Sequence, residues 1–169
     1  ISVSYGGSSF GYGIGLYTIS NEGGVLNIEG GIIENTATVA TSMYDAIDNN
    51  STLGETVLNI SGGEVKCAQY IGVRQFANST TKDNIVNVTG GKVLGGNTSI
   101  WMQNPGSNQP KATIAISEDA NIEGRLLAGE SEEFVFAVTG GTFTTDVTDF
   151  CAPGYVCKQN TDGTYGVFL

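Results

Sequence analysis

The chain has 169 residues, 25 of them Gly, and a net charge of −10 from 17 acidic and 7 basic side chains; it has no His. So few and scattered cations make no phosphate-binding footprint and little attraction to anionic lipid, so neither nucleic acid nor a membrane surface is an expected partner. No run of 18 apolar residues is present to insert into a membrane, and without His no Ser–His or Cys–His nucleophile can be built.

In chain order, the sequence opens at Ile1 with no Met and no signal-like segment, which reads as a piece processed from something longer. ISVSYGGSSFGYGIGLYTI carries Gly6-Gly7 and ends in an apolar cluster at 13–19. A six-residue pattern then recurs: LNIEGG at 26–31, LNISGG at 58–63, VNVTGG at 86–91 and FAVTGG at 136–141. TIAISED at 113–119 is a degenerate copy, with Glu118-Asp119 in place of the glycine pair.

Aligned, the copies give three apolar columns. The first holds Leu26, Leu58, Val86, Ile114 and Phe136; the second Ile28, Ile60, Val88, Ile116 and Val138; the third Ile33, Val65, Val93 and Phe143. Apolar residues two apart with polar ones between them predict strands with one buried face. The second column steps through positions 28, 60, 88, 116 and 138, so the period is 32, 28, 28 and 22 residues, in the range of solenoids and other repeat arrays.

Each period holds a second short apolar cluster: YDAI (44–47), YIGV (70–73), SIWM (99–102) and RLLA (125–128). Polar loops close most periods, as in DNNSTLGE (48–55), ANSTTKDN (77–84) and QNPGSNQPK (103–111). No stretch keeps a 3.6-residue apolar period, so a helical repeat is not expected. A chain wound one turn per period stacks each strand on its copy, which is an all-β parallel β-helix. Gly-Gly suits its corners because Gly takes positive φ without a steric cost. The alternative is a β-sandwich of similar strands. About five to six coils are expected over residues 1–143. Residues 144–169 read as a C-terminal cap: a short helical turn broken at Pro153-Gly154, then a hairpin around Thr161-Asp162-Gly163.

VTGGTFTTDVTDFCAPGYVCKQNTDGTYGV, residues 138–167, resembles the ending of the right-handed parallel β-helix repeat modules found in large adhesin-like surface proteins of gut bacteria and in some of their phages. Cys157 departs from that pattern. The resemblance implies a right-handed single-stranded coil in an extracellular setting, on a cell surface or virion, and a homotrimer where the module belongs to a phage fibre. It supplies no catalytic motif.

Cys151 and Cys157 could close a small disulfide loop in an oxidising compartment, or be two ordinary small core residues; Cys67 reads as buried. No Cys pair has zinc spacing, no calcium loop motif occurs, and no cofactor is expected. Carboxylates cluster at Asp45 and Asp48 beside Tyr44, at Glu118, Asp119 and Glu123, and at Glu130, Glu132 and Glu133. A paired set could act as acid and base on a glycosidic bond, although acidic loops in so acidic a chain are ordinarily a solvated face.

Tyr17, Tyr44, Tyr70 and Trp101 lie at the second cluster of successive periods, where exposed rings could stack on sugars; otherwise they cover the core edge. Asn59 and Asn87, with Asn27, recur at one outward position and could form a polar strip. The function these features suggest is an extracellular structural or adhesion module without enzymatic activity, displaying a surface for host or cell-surface glycans. Two alternatives are a short carbohydrate-active enzyme, of polysaccharide lyase or glycoside hydrolase type, and a ligand-free structural spacer.

Overall fold

The computed structural model describes residues 2–3, 16–38, 44–106 and 108–169. The Gly6-Gly7 pair and residues 13–15 of the first apolar cluster lie outside the described residues.

The described chain is an all-β parallel solenoid with three faces. The first face stacks Gly24–Ile28, Thr56–Ile60, Asn84–Val88, Ala112–Ile116 and Phe134–Val138 in that order. The second stacks Ser2–Val3, Ile32–Asn35, Glu64–Cys67, the start of Lys92–Gln103, the start of Asn121–Ala128 and Thr142–Phe143. The third stacks Leu16–Asn21, Tyr44–Asn50, Ile71–Phe76 and the ends of the same two long strands. Pairing within all three stacks is parallel.

The registers reproduce the sequence columns. Leu26 pairs with Leu58, Leu58 with Val86, Val86 with Ile114, and Ile114 with Phe136. Ile33, Val65, Val93, Ile122 and Phe143 run down the second face. Leu58, Val65, Val86, Val93, Ile114, Ile116, Ile122 and Phe143 are fully buried. Each buried aliphatic side chain contributes about 1.5–3 kcal/mol relative to exposure, and the columns join into one core.

The described strands make about four turns rather than five to six. Five strands on the first face give four full circuits, and after Thr142–Phe143 the chain stops coiling. Tyr165–Phe168 pairs antiparallel with Thr142–Phe143, and Val156–Gln159 pairs antiparallel with Tyr165–Phe168. The turn between them bonds Asn160 N–H to Thr164 O (2.7 Å) and Gly163 N–H to Asn160 O (3.1 Å). A 3₁₀ turn at Thr148–Phe150 precedes this hairpin, and Cys151 bridges to Val138 at the end of the first face.

Corners between the first and second faces turn on Gly31, Gly63, Gly91 and Gly141, with φ between 71° and 100°. The degenerate copy turns differently. Ile116 and Asn121 enclose four residues where Val88 and Lys92 enclose three, and Glu118 takes φ 53°, so one added residue does what the glycine pair does elsewhere. The outer side of the second face is a charge zipper: Lys66 Nζ lies 3.3 Å from Glu34 and 3.5 Å from Glu64, and Lys92 Nζ lies 2.9 Å from Glu123. Among the described residues, no helix is long and apolar enough to cross a membrane.

Candidate functional site

The third face departs most from the repeat. On the first face, strands alternate buried and half-buried positions. On the third, six consecutive positions of Tyr44–Asn50 and five of Ile71–Phe76 are buried. The register places Ser20, Asp48, Arg74, Trp101 and Leu127 in one row. Trp101 and Gln103 are only partly buried, while Ile100 and Met102 beside them are fully buried, so Trp101 faces outward.

Arg74 is the centre of this face. Its Nε lies 2.8 Å from Asp45 Oδ2 and donates a hydrogen bond to Asp48 Oδ1 at 3.1 Å. Its guanidinium carbon sits 5.0 Å from the Tyr17 ring centroid and 5.3 Å from that of Phe76, within cation–π range. Asp45 is fully buried, Asp48 nearly so, and Arg74 is 8% exposed. The Asp45 contact is ionic rather than a well-aligned hydrogen bond, since neither Asp45 oxygen has a hydrogen-bond partner. Burial holds the Asp45 carboxyl well above its ordinary value of 3.8, against the pull of Arg74 and with a push from Asp48. Burial likewise raises Asp48, while Arg74 and Asn50 work the other way.

The four aromatic residues separate. Tyr17 and Trp101 reach the third face, Tyr17 against Arg74 and Trp101 beside it in register. Tyr70 stands in the corner before that face, half-buried against the core. Tyr44 is fully buried and offers no ring face to a sugar, because the third face is covered on both sides at that rung. Asn59 and Asn87 do form a row: Asn87 Nδ2 donates to Asn59 Oδ1, and Asn59 Nδ2 to Asn27 Oδ1, both at 2.8 Å. Those bonds run along the stack, so they tie rungs together and occupy one amide hydrogen each of Asn59 and Asn87.

Cys67, Cys151 and Cys157 are all free thiols. Cys151 and Cys157 are not bonded to each other in this structure, and both are half-buried. Both pack against the cap side of the core, where Cys151 Sγ lies 3.5 Å from Val147 O, and burial raises both thiols.

A surface cleft of about 460 Å³ lies in the loop that follows Lys92–Gln103, where the chain leaves the third face. Asn104, Gly106, Asn108, Gln109 and Glu130 line it. Asn104 builds its wall: Nδ2 donates to Asn108 O (3.0 Å) and Glu130 O (2.6 Å), and Oδ1 accepts from Gly106 N–H (3.0 Å). Gln109 Oε1 accepts from Glu132 N–H at 2.8 Å. The exposed Asn108 amide, Gln109 amide hydrogens and Glu130 carboxylate add further donors and acceptors to its lining. In the sequence this cleft showed only as a polar loop, since its Glu130 wall comes from the next rung.

Neither a protein-family model, nor a curated protein, nor a solved structure matches this chain.

Proposed function

We propose that the chain is a display module of a cell surface or virion, and that it presents a glycan-binding surface on the outer side of its third face. The observation that carries this reading is the succession, along one strand and its following loop, of Trp101 and the amide-rich cleft. Trp101 presents a partly exposed ring, and three residues along the same strand and loop Asn104 begins the wall of amide and carboxylate groups. A ring face stacks on the apolar face of a sugar, and such groups bond its hydroxyls. Wide, shallow sites of this kind suit multivalent attachment, in which modest single-site affinities add. In a fibre setting the module would work as a homotrimer, which light scattering would report.

The test is a glycan array of host and bacterial surface sugars, probed with the native chain and with Trp101→Ala. Native binding that drops roughly tenfold in the variant supports the site. Equal binding removes Trp101 from it, and no binding by either chain leaves the spacer reading.

A second reading rests on Asp45 and Asp48, two carboxyls of raised pKa gathered on one arginine, which could serve as acid and base on a glycosidic bond once the third face opens to a substrate. New reducing ends or unsaturated products from an acidic polysaccharide, lost in Asp48→Asn, would favour it.

A further inference from the structure

In each Gly-Gly corner after the first, the leading glycine is required by the rung before it. A Cβ on Gly62 would lie 2.5 Å from the Glu29 carbonyl oxygen, and one on Gly90 would lie 2.6 Å from that of Ser61. Neither residue has positive φ. The neighbouring carbonyl, not the backbone conformation, is what excludes a side chain there. Gly30 occupies the same place in the first rung, also without positive φ, yet nothing among the described residues lies within 4 Å of its Cβ position. Its own rung gives no reason for glycine.

Among the described residues the start of that edge is open in the same way, while Ile28 at its end is 7% exposed. Leu26 is partly exposed and Val25 is 65% exposed, while Leu58, Val86 and Ile114 of the Leu26 column are fully buried. Gly24 N–H donates to Glu55 O, and Ile28 O accepts from Ser61 N–H. In a parallel ladder this turns residues 24, 26 and 28 to the next rung and the N–H and C=O of Val25 and Asn27 to the open side. The Asn87–Asn59–Asn27 chain donates towards that side and ends there.

Ser2–Val3 indicates what belongs on this edge. It pairs in parallel with the second-face strand of the first rung, Ser2 opposite Glu34 and Val3 opposite Asn35. The offset, 34 − 2 = 32 residues, equals that from Leu26 to Leu58, 58 − 26. Carried round to the first face, it assigns the partners of residues 24–31 to polypeptide directly ahead of Ile1. The far end of another copy does not fit, because the hairpin there is antiparallel.

We propose that the edge from Gly24 to Gly31 is a docking site for one more parallel rung, supplied by polypeptide N-terminal to Ile1. That rung lays aliphatic side chains over Leu26 and Ile28 and a backbone carbonyl over Gly30.

Duplicating residues 22–32 directly ahead of Ile1 supplies such a strand, with the duplicated leucine 32 residues before Leu26. Amide exchange at Val25 and Asn27 is expected to slow roughly tenfold or more in the extended chain, and its Tm to rise. Gly30→Ala is expected to leave the Tm of the original chain unchanged and to lower that of the extended chain. Unchanged exchange after extension, or a Gly30→Ala effect of equal size in both chains, overturns the proposal. So does a concentration-dependent dimer of the original chain that protects the same amides, since the edge then belongs to a second copy.

Discussion

The first and third faces wrap the same core with opposite sequence habits. On the first face, Leu58, Val86 and Ile114 repeat one inward position and Asn27, Asn59 and Asn87 one outward position, rung after rung. On the third face, Ser20, Asp48, Arg74 and Trp101 share one outward row with no residue type repeated. The first face is a stacking surface, and each side chain there makes its contacts with a near-copy of itself. The third is a surface on which unlike groups meet, so it can carry chemistry. A solenoid permits both because each rung contacts only its neighbours, and an exception on one face leaves the ladder on another intact.

The largest expected effect breaks the third face. Arg74→Ala leaves two buried carboxyls without their cation and should cost about 3–5 kcal/mol at neutral pH, read by chemical denaturation. That cost should shrink on acidification, as Asp45 and Asp48 take up protons. Both folded pKa values are raised above 3.8, so in the native chain the contribution of these groups is fully present below about pH 4 and is lost as pH rises through the raised values. Asp45→Asn should flatten that part of the stability profile; an unchanged slope would mean that Asp45 is not the group responsible.

Next comes the ladder itself. Ile60→Ala, at a fully enclosed rung, should lose about 2–5 kcal/mol, against less than about 0.5 kcal/mol for Val25→Ala on the outer side of the same face. A similar loss at both positions would deny that the first face has an inside and an outside.

The corners sharpen the comparison further. Gly31 and Gly63 have nearly the same φ, 79° and 76°, but a Cβ on Gly63 would meet Gly31 O at 2.6 Å and one on Gly31 meets nothing within 4 Å among the described residues. Gly31→Ala should cost about 1–2 kcal/mol, the ordinary left-handed penalty, and Gly63→Ala clearly more, because a backbone must move. Thermal unfolding of the two variants isolates the contribution of stacking.

The smallest effect is on the outer row. Asn59→Ala breaks both amide bonds of the Asn27–Asn59–Asn87 row at a half-buried position and should cost about 1 kcal/mol.

Much of the architecture was legible beforehand because it rests on local rules. Alternation in LNISGG fixes which side chains point inward, and Gly63 marks the positive-φ corner. The candidate site was legible only in pieces. Asp45, Asp48, Tyr17 and Trp101 could be named, yet nothing in the sequence joined Asp48 to Arg74, 26 residues away. Tyr44 looked the same as Tyr17 and is buried instead. A polar column inside the solenoid was not foreseen either: Asn21 Nδ2 donates to Asn49 Oδ1, and Asn49 Nδ2 to Asn84 Oδ1, both at 2.8 Å within the core. There the amides satisfy backbone carbonyls such as Gly24 O and Ile85 O, at the corner where the chain turns from third face to first.

The sequence by itself determined the period, the inward columns and the glycine corners, because strand alternation and the φ of glycine are properties of a few consecutive residues. Only the tertiary structure decided which outward groups face each other, which aromatic rings are covered and where the cleft opens. Those outcomes depend on registers across 26 to 32 residues, set by loops whose lengths differ from rung to rung.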